Sequence, residues 1–406
     1  MRIGIDCRTM LNWKRAGEAA GVGHYTYYLV KYLLQEDQVN DYILFLDKHA
    51  SKRIRKDIVG SNPRVSVRNF PFQALHRCLP FIYSHMVISA MFERARLDLL
   101  HAPANALPLF FRKPAVITVH DLAIYDHPEW FPAKYPGAPA FSERVIVPYS
   151  VKKAKRVIAV SEQTKQDLMR IFKLPEAKID VVYEGAEPPP AARAADKGVL
   201  EKLRLQPGKY CLYLGTIEPR KNIDAAVRAF VRLLKSDYRR YCSLDLVIAG
   251  RKGWKYEPVF EAVTKGNSDL AAAAVAAKMD PREQIRYIGY LSHEDKAPVI
   301  GQAAAFVFPS FYEGFGLPVI EAMSLGAPVI AADRASLPEI CGDAALLVDP
   351  DDDKAIAKAL GRILDEPEFA AGLREKGRAR AAEFNWRRTA QETIKVYERA
   401  LGAIDG

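Results

Sequence analysis

The sequence predicts an α/β protein made of two Rossmann-like parallel-sheet domains. Three observations predict it. Short apolar runs alternate with longer helical patterns along almost the whole chain, which is the mark of parallel strands covered on both faces. The chain has 406 residues, more than one hydrophobic core organises. The pattern breaks once, at Glu187-Pro188-Pro189-Pro190 followed by AARAADK, a stiff polar stretch without strand character.

The first half places strands at RIGID, YILFL, VSVRNF, LLHA, AVITVH, RVIAVS and IDVVYEG. The second half places them at KYCLYLG, LDLVIAG, IRYIGYL, AAFVFPS, PVIAA and ALLVD. Helical stretches lie between them, as at Tyr25–Gln35, Ser161–Phe172 and Ile223–Lys235, and alanine-rich 271–277 reads as helix. The domains are therefore expected at 1–187 and 200–384, joined by a linker at 188–199. The final segment, 385–406, opens with Asn385 as an N-cap and continues as a helix from Trp386.

Hydrophobic residues make up 49% and charged residues 27%, an ordinary globular balance that excludes disorder. The most membrane-like run, Cys78 to Phe92, is shorter than the ~20 residues a span needs and is interrupted by Pro80, Ser84 and His85. MRIGIDCRTM reads as a first strand rather than a signal peptide. Five cysteines without a CxxC pair fit reduced thiols and a cytoplasmic setting better than a disulfide framework or a zinc site. The net charge of +10 favours anionic partners. Clusters at Lys52, Arg53, Arg55, Lys56 and at Lys152, Lys153, Lys155, Arg156 read either as a solvated basic face or as peripheral contact with anionic lipids on the inner face of the cell membrane. No basic stretch is interleaved with aromatics, so nucleic acid is not expected as a partner.

Ligands of open α/β sheets bind beyond the carboxyl ends of strands, so the strand-to-helix turns carry the chemistry. After RIGID, a long loop ends in Gly21-Val22-Gly23-His24 ahead of a helix at Tyr25. Gly23 would let the backbone approach an anion at a helix start. Position 26 is Thr26, so GxGxxG is not completed, and a plain flexible loop stays open. After VITV come His120 and Asp121. His120 would bond a sugar hydroxyl, move a proton, or be a structural histidine held by a carboxylate. The loop that follows holds Tyr125, His127 and Trp130, aromatic faces suited to a sugar acceptor.

After CLYLG comes Thr216-Ile217-Glu218-Pro219-Arg220-Lys221-Asn222. Two cations at a helix start oppose the helix dipole, and a bound diphosphate would reverse that penalty. A solvated basic turn is the alternative, and no Walker A loop is present. The fourth turn, FPSFYEGFGLPVIE, carries Glu313 and Glu321 eight positions apart around Gly314, Phe315, Gly316, Leu317 and Pro318. Pro318 suits a first helical turn, which leaves backbone amides to meet an anion. A carboxylate at each end would bind sugar hydroxyls, the footprint of a nucleotide sugar; a capping or surface role for Glu321 is the alternative. Asp351-Asp352-Asp353 holds a DxD string, but at a predicted helix start it reads as dipole pairing rather than metal ligation.

These residues carry a resemblance. FYEGFGLPVIEAMSLGAPVIA resembles the E-x7-E signature of retaining glycosyltransferases of family 4, with the two-domain GT-B fold. GTIEPRKNI resembles that family's phosphate turn, VHDL and GVGHY its N-terminal loops, and SLPEICGDAALLVDP its closing strands. The resemblance spans the chain and implies two facing domains with an inter-domain cleft, acceptor on the first, nucleotide sugar on the second, and a last helix that crosses back. It implies a metal-independent reaction with no cofactor beyond the sugar nucleotide. Glu321 would bind the ribose. Glu313 and the 315–317 amides would meet the transferred sugar and phosphates. Arg220 and Lys221 would neutralise the leaving diphosphate. His120 would lie near the donor sugar, Gly23 beside phosphate or acceptor, and Tyr290 and Leu291 near the base. Thr216 stands where many members have arginine. The form of the turn resembles mannosyl- and rhamnosyltransferases of bacterial polysaccharide assembly, hence GDP-mannose as donor and a glycan or lipid-linked acceptor. A GT-B sugar-nucleotide 2-epimerase lacks this pairing of motifs. A non-enzymatic sugar-nucleotide binder would have lost Glu313 or the cations, and a dehydrogenase would need GxGxxG.

Overall fold

The computed structural model describes residues 1–10, 21–47, 54–71, 79–132, 142–187 and 197–402. The prolines at 188–190, most of the expected linker, and Lys52 and Arg53 lie outside these residues. The chain divides into two compact units. One comprises Met1–Asp126, Ala133–Gly185 and Trp386–Gly406; the other comprises His127–Pro132 and Ala186–Asn385. Segment 127–132 thus belongs to the second unit, although its place in the sequence assigns it to the first domain.

The first unit holds a parallel sheet of β1 (Arg2–Asp6), β2 (Asp41–Leu46), β3 (Val65–Asn69), β4 (Leu99–Ala102), β5 (Ala115–Val119), β6 (Arg156–Ala159) and β7 (Ile179–Val181). The spatial order is β3-β2-β1-β4-β5-β6-β7, and every pairing is parallel. β4 and β5 are buried at every residue, so their sequences run apolar instead of alternating. Helix α1 (Val22–Glu36) follows β1. Helix α2 runs through Pro80–Ile82, a π-helical turn Tyr83–Val87, and Ile88–Arg94. Helix α3 joins a π-helical Ser142–Ile146 to Val147–Lys153. Helix α4 (Glu162–Phe172) starts where Ser161 caps the amide of Thr164 and stops at Lys173, whose φ of 56° is left-handed.

The second unit holds β8 (Tyr210–Leu214), β9 (Asp245–Ala249), β10 (Ile285–Gly289), β11 (Ala305–Phe308), β12 (Val329–Ala332) and β13 (Leu346–Val348). Their order is β10-β9-β8-β11-β12-β13. Helix α5 (Ile223–Ser236) follows β8, α6 (Leu317–Ser324) follows β11, and α7 (Asp353–Asp365) follows β13. All thirteen expected strands are present; most are buried apolar runs, whereas β3, β7, β10 and β13 are partly exposed.

The last helix, α8 (Trp386–Ala400), packs on α1 within the first unit. Trp386 is buried and stacks on Tyr28 at 5.5 Å between ring centres. Farther along, Tyr397 reaches Nδ1 of His101 on β4 at 2.6 Å. No helix among the described residues is long and apolar enough to cross a membrane.

Candidate active site

In the second sheet the chain leaves β8 toward β9 and β10, then returns to β11 and runs the other way. β8 and β11 are hydrogen-bonded neighbours whose connections diverge, the topological switch point at which open α/β sheets bind ligands. The turn after β8 and the turn after β11 meet there. They hold Arg220 and Lys221 on one side and Glu313 on the other.

The turn after β8 is braced from β9. Gly250 has φ 141°, and a Cβ there would lie 1.8 Å from the carbonyl oxygen of Gly215. Ile217 donates to the Arg251 carbonyl at 2.8 Å, and Gly253 donates back to Ile217 at 3.0 Å. Thr216 is held through its carbonyl, which accepts from the Tyr213 hydroxyl at 3.2 Å. Pro219–Lys221 then form a single 3-10 turn, and α5 starts only after Asn222, which adopts φ 52°. The two cations therefore precede α5 rather than opening it. Asn222 spends its side chain on the fold: Nδ2 donates to Pro309 at 3.2 Å and to Pro350 at 2.7 Å. Phe311 donates its amide to the Arg220 carbonyl at 2.8 Å, stitching the two turns together.

This stitching brings four charges into a row. Lys221 Nζ donates to Glu313 Oε1 at 2.5 Å. Arg220 lies 3.9 Å from Glu313 Oε2 and bonds Glu218 through Nε. Glu313, Lys221 and Glu218 are all buried. Burial alone would push the Glu313 carboxyl up, but the charges of Lys221 and Arg220 and the bonds from Lys221 and Ser310 hold it below its ordinary value. The anion that the sequence demands beside these cations is thus already supplied twice, by Glu313 and Glu218.

The turn after β11 ends at Gly316, whose φ of 110° no other residue type adopts cheaply. Gly314 does not share this conformation. No side chain caps α6, and Pro318 at its second position has no amide to satisfy. Ser336 lies 2.9 Å from the carbonyls of both Glu313 and Phe315 and pins the loop from below. Leu317 is the first residue of α6; Glu321 lies inside it and pairs with Lys296 at 3.4 Å. Beyond β10, Leu291 is buried, whereas Tyr290 is exposed with the Arg251 guanidinium 5.1 Å above its ring. Trp130, expected with the acceptor loop of the first domain, sits in the second unit. Its ring stacks on His127 at 3.9 Å and on Phe311 at 5.9 Å, and its carbonyl accepts from Trp254 Nε1 at 2.8 Å.

The carboxyl ends of the first sheet gather a separate set. His120 follows β5, and both ring nitrogens are engaged: Nδ1 with Glu184 at 3.1 Å and Nε2 with the Pro103 carbonyl at 3.0 Å. Burial lowers its basicity, but Glu184 and that carbonyl more than restore it, so its pKa is raised. The ring is held on a carboxylate, which is one of the arrangements expected for it. Asp121 accepts at its carbonyl from Asn105, which also receives the His120 amide. The Tyr125 ring packs on Phe172 at 5.0 Å and against the core. Helix α1 starts at Val22, which puts Gly23 in its first turn, behind Gly21 at φ 60°.

Sequence reasoning missed Glu218, Asn222, Lys296 and Ser336 in the second unit, and Glu184 and Asn105 in the first. Glu218 stands directly before Pro219 and could have been read as a partner to its neighbours. Nothing local marks Glu184, which meets His120 across 64 positions.

Comparison with known proteins agrees with this geometry. Residues 19–188 match the family described as Glycosyltransferase Family 4, and residues 200–380 match Glycosyl transferases group 1. The chain is 30% identical over 385 residues to the O-antigen chain mannosyltransferase B of Escherichia coli, covering 93% of this chain and 96% of that protein. It superposes on sucrose-phosphate synthase from Thermosynechococcus elongatus with a TM-score of 0.73 at 23% identity, covering 99% and 100% of the two chains. It superposes on Anabaena HepE in complex with UDP and glucose with a TM-score of 0.70 at 16% identity, covering 98% and 100%.

Proposed function

We propose that this chain, which belongs to the family 4 glycosyltransferases and has the GT-B fold, moves mannose from GDP-mannose to a hydroxyl of a growing or lipid-linked glycan, with retention at the anomeric carbon. The observation that carries the reading is the charge row at the switch point of the second sheet. Lys221 and Arg220 are fixed there by Glu313 and Glu218. Cations held rigidly in a buried site stabilise a departing diphosphate without reorganising, and this is usually the largest catalytic contribution.

In this reading the bond from the anomeric carbon to the β-phosphate oxygen breaks, and the acceptor oxygen bonds to the same face. The acceptor proton passes to the leaving phosphate, so GDP departs protonated. Glu313 is neutralised by Lys221, which favours a role in holding the cations over one as a nucleophile. A covalent glycosyl-enzyme trapped on Glu313 would overturn the front-face step. No metal is assigned in this reading. The DxD carboxylates are otherwise engaged: Asp351 with Arg334 at 2.7 Å, Asp352 with the Lys354 and Ala355 amides, and Asp353 with Arg232 at 3.1 Å. Glu321 would bind the ribose, and Tyr290 with Leu291 would lie at the base. Mannose is chosen because a relative that matches nearly end to end is named a mannosyltransferase.

Calorimetric titration with GDP, UDP, ADP and dTDP tests this. GDP binding that survives EDTA and is lost in Glu321→Ala is expected. Binding of a different nucleotide would replace the donor, and binding of none would remove the transferase reading.

A further inference from the structure

Seven of the eleven most exposed large apolar side chains among the described residues fall on three segments of the first unit. Leu79, Ile82 and Met86, spaced three and four apart, share a face at the start of α2, with Phe81 beside them. Phe110 lies in the β4-to-β5 connection at 52% exposure. Val145 and Tyr149, four apart, lie on α3.

The three segments form one surface, joined by contacts from end to end. The Phe81 ring packs 4.8 Å from His85. His85 Nδ1 accepts from the Leu109 amide at 3.3 Å. The Leu109 carbonyl accepts from the Tyr149 hydroxyl at 2.8 Å, and Lys153 Nζ donates to that hydroxyl at 2.7 Å. The patch exists because the β4-to-β5 connection carries no helix, so α2 and α3 are bridged by irregular chain whose own Phe110 points outward.

Its net charge is positive. Residues 79–94, 107–113 and 142–153 hold six Lys and Arg (Arg94, Arg112, Lys113, Arg144, Lys152, Lys153) and two Glu. One of those acids, Glu93, is occupied by the Arg112 amide at 2.7 Å. Exposed Phe, Leu, Ile and Met beside lysines match an interfacial membrane surface, where apolar side chains enter the headgroup boundary and cations meet anionic lipid. Lysine is depleted from protein–protein interfaces, and a chain of net charge +10 is drawn to a negative plane.

We propose that this face of α2, the 107–113 connection and α3 docks on an anionic phospholipid surface. The contact needs both signals, insertion and charge, as reversible peripheral binding does. It does not depend on which sugar nucleotide the second unit takes.

The test is co-sedimentation of the full chain with phosphatidylglycerol/phosphatidylethanolamine vesicles and with phosphatidylcholine vesicles, without nucleotide. The wild type is expected to pellet with the anionic vesicles, to be released by added salt, and to stay in solution with the neutral ones. Phe81→Ser with Met86→Ser, and separately Arg144→Glu with Lys152→Glu, are each expected to weaken binding about tenfold or more while melting like the wild type. A wild type that ignores anionic vesicles, or folded variants that pellet equally well, would overturn the proposal. So would a solution dimer that Phe81→Ser with Met86→Ser dissociates, in a protein that binds no vesicles: the patch would then be a contact between copies.

Discussion

Lys221 Nζ sits 2.5 Å from Glu313 Oε1, although the two residues are 92 positions apart and come from different strand-end turns. Each is buried, and neither would be tolerated there alone. The pair therefore joins the two turns electrostatically as well as positioning a cation.

Breaking this pair from one side leaves a buried charge. Glu313→Gln or Lys221→Met should each cost about 3–5 kcal/mol in urea unfolding, and the double variant should recover much of that loss. The carboxyl of Glu313 is held below its ordinary 4.5, so its contribution is present above that pH and is lost as pH falls through the lowered native value. Purely additive losses in the double variant would show that the two side chains act independently.

The ring of His120 should report its two acceptors. Its pKa is raised above 6.5, so the stability it contributes is complete below 6.5 and is lost as pH rises through the native value. In Glu184→Gln the burial effect is no longer offset, and the pKa should drop below 6.5 with the pH dependence reversed. Imidazole NMR titration of both proteins reads this directly. An unchanged pKa in the variant would mean that Glu184 is not the controlling partner.

Gly250 is where the backbone beside the phosphate turn has no room. Gly250→Ala should cost about 2–5 kcal/mol, since it adds left-handed strain to a 1.8 Å clash with Gly215. Gly208→Ala is the control: φ is 70° but nothing lies within 4 Å, so only about 1–2 kcal/mol should be lost. Equal melting of the two variants would argue against the close approach of these turns.

Removing the Tyr397 hydroxyl isolates a buried nitrogen. His101 is fully buried, which lowers its pKa to about 3 and keeps it neutral, with Nε2 against Thr118 at 2.9 Å. Tyr397→Phe leaves Nδ1 without its partner and should cost about 1–3 kcal/mol. Trp386→Ala, at the other end of α8, should cost about 3–5 kcal/mol through the cavity it opens. A helix that contributes little would show neither loss in chemical denaturation.

Strands such as β5, β8 and β11 were legible in the sequence because parallel strands covered on both faces are continuous apolar runs, and such runs do not depend on their neighbours. The E-x7-E turn was legible for a similar reason. Gly316 and Pro318 are dictated by local backbone geometry, φ 110° and a missing amide, and so they mark the helix start wherever it folds. What only the tertiary structure decided is who meets whom. Nothing in PRKN names Glu313 as the partner of Lys221, nothing in VHDL names Glu184 as the partner of His120, and Trp130 left its expected domain for a stack on Phe311. The physical reason is that a buried charge or ring is settled by whatever group the crossovers deliver to it. That delivery depends on strand order, which reverses between β8 and β11, and no local stretch of sequence encodes the reversal.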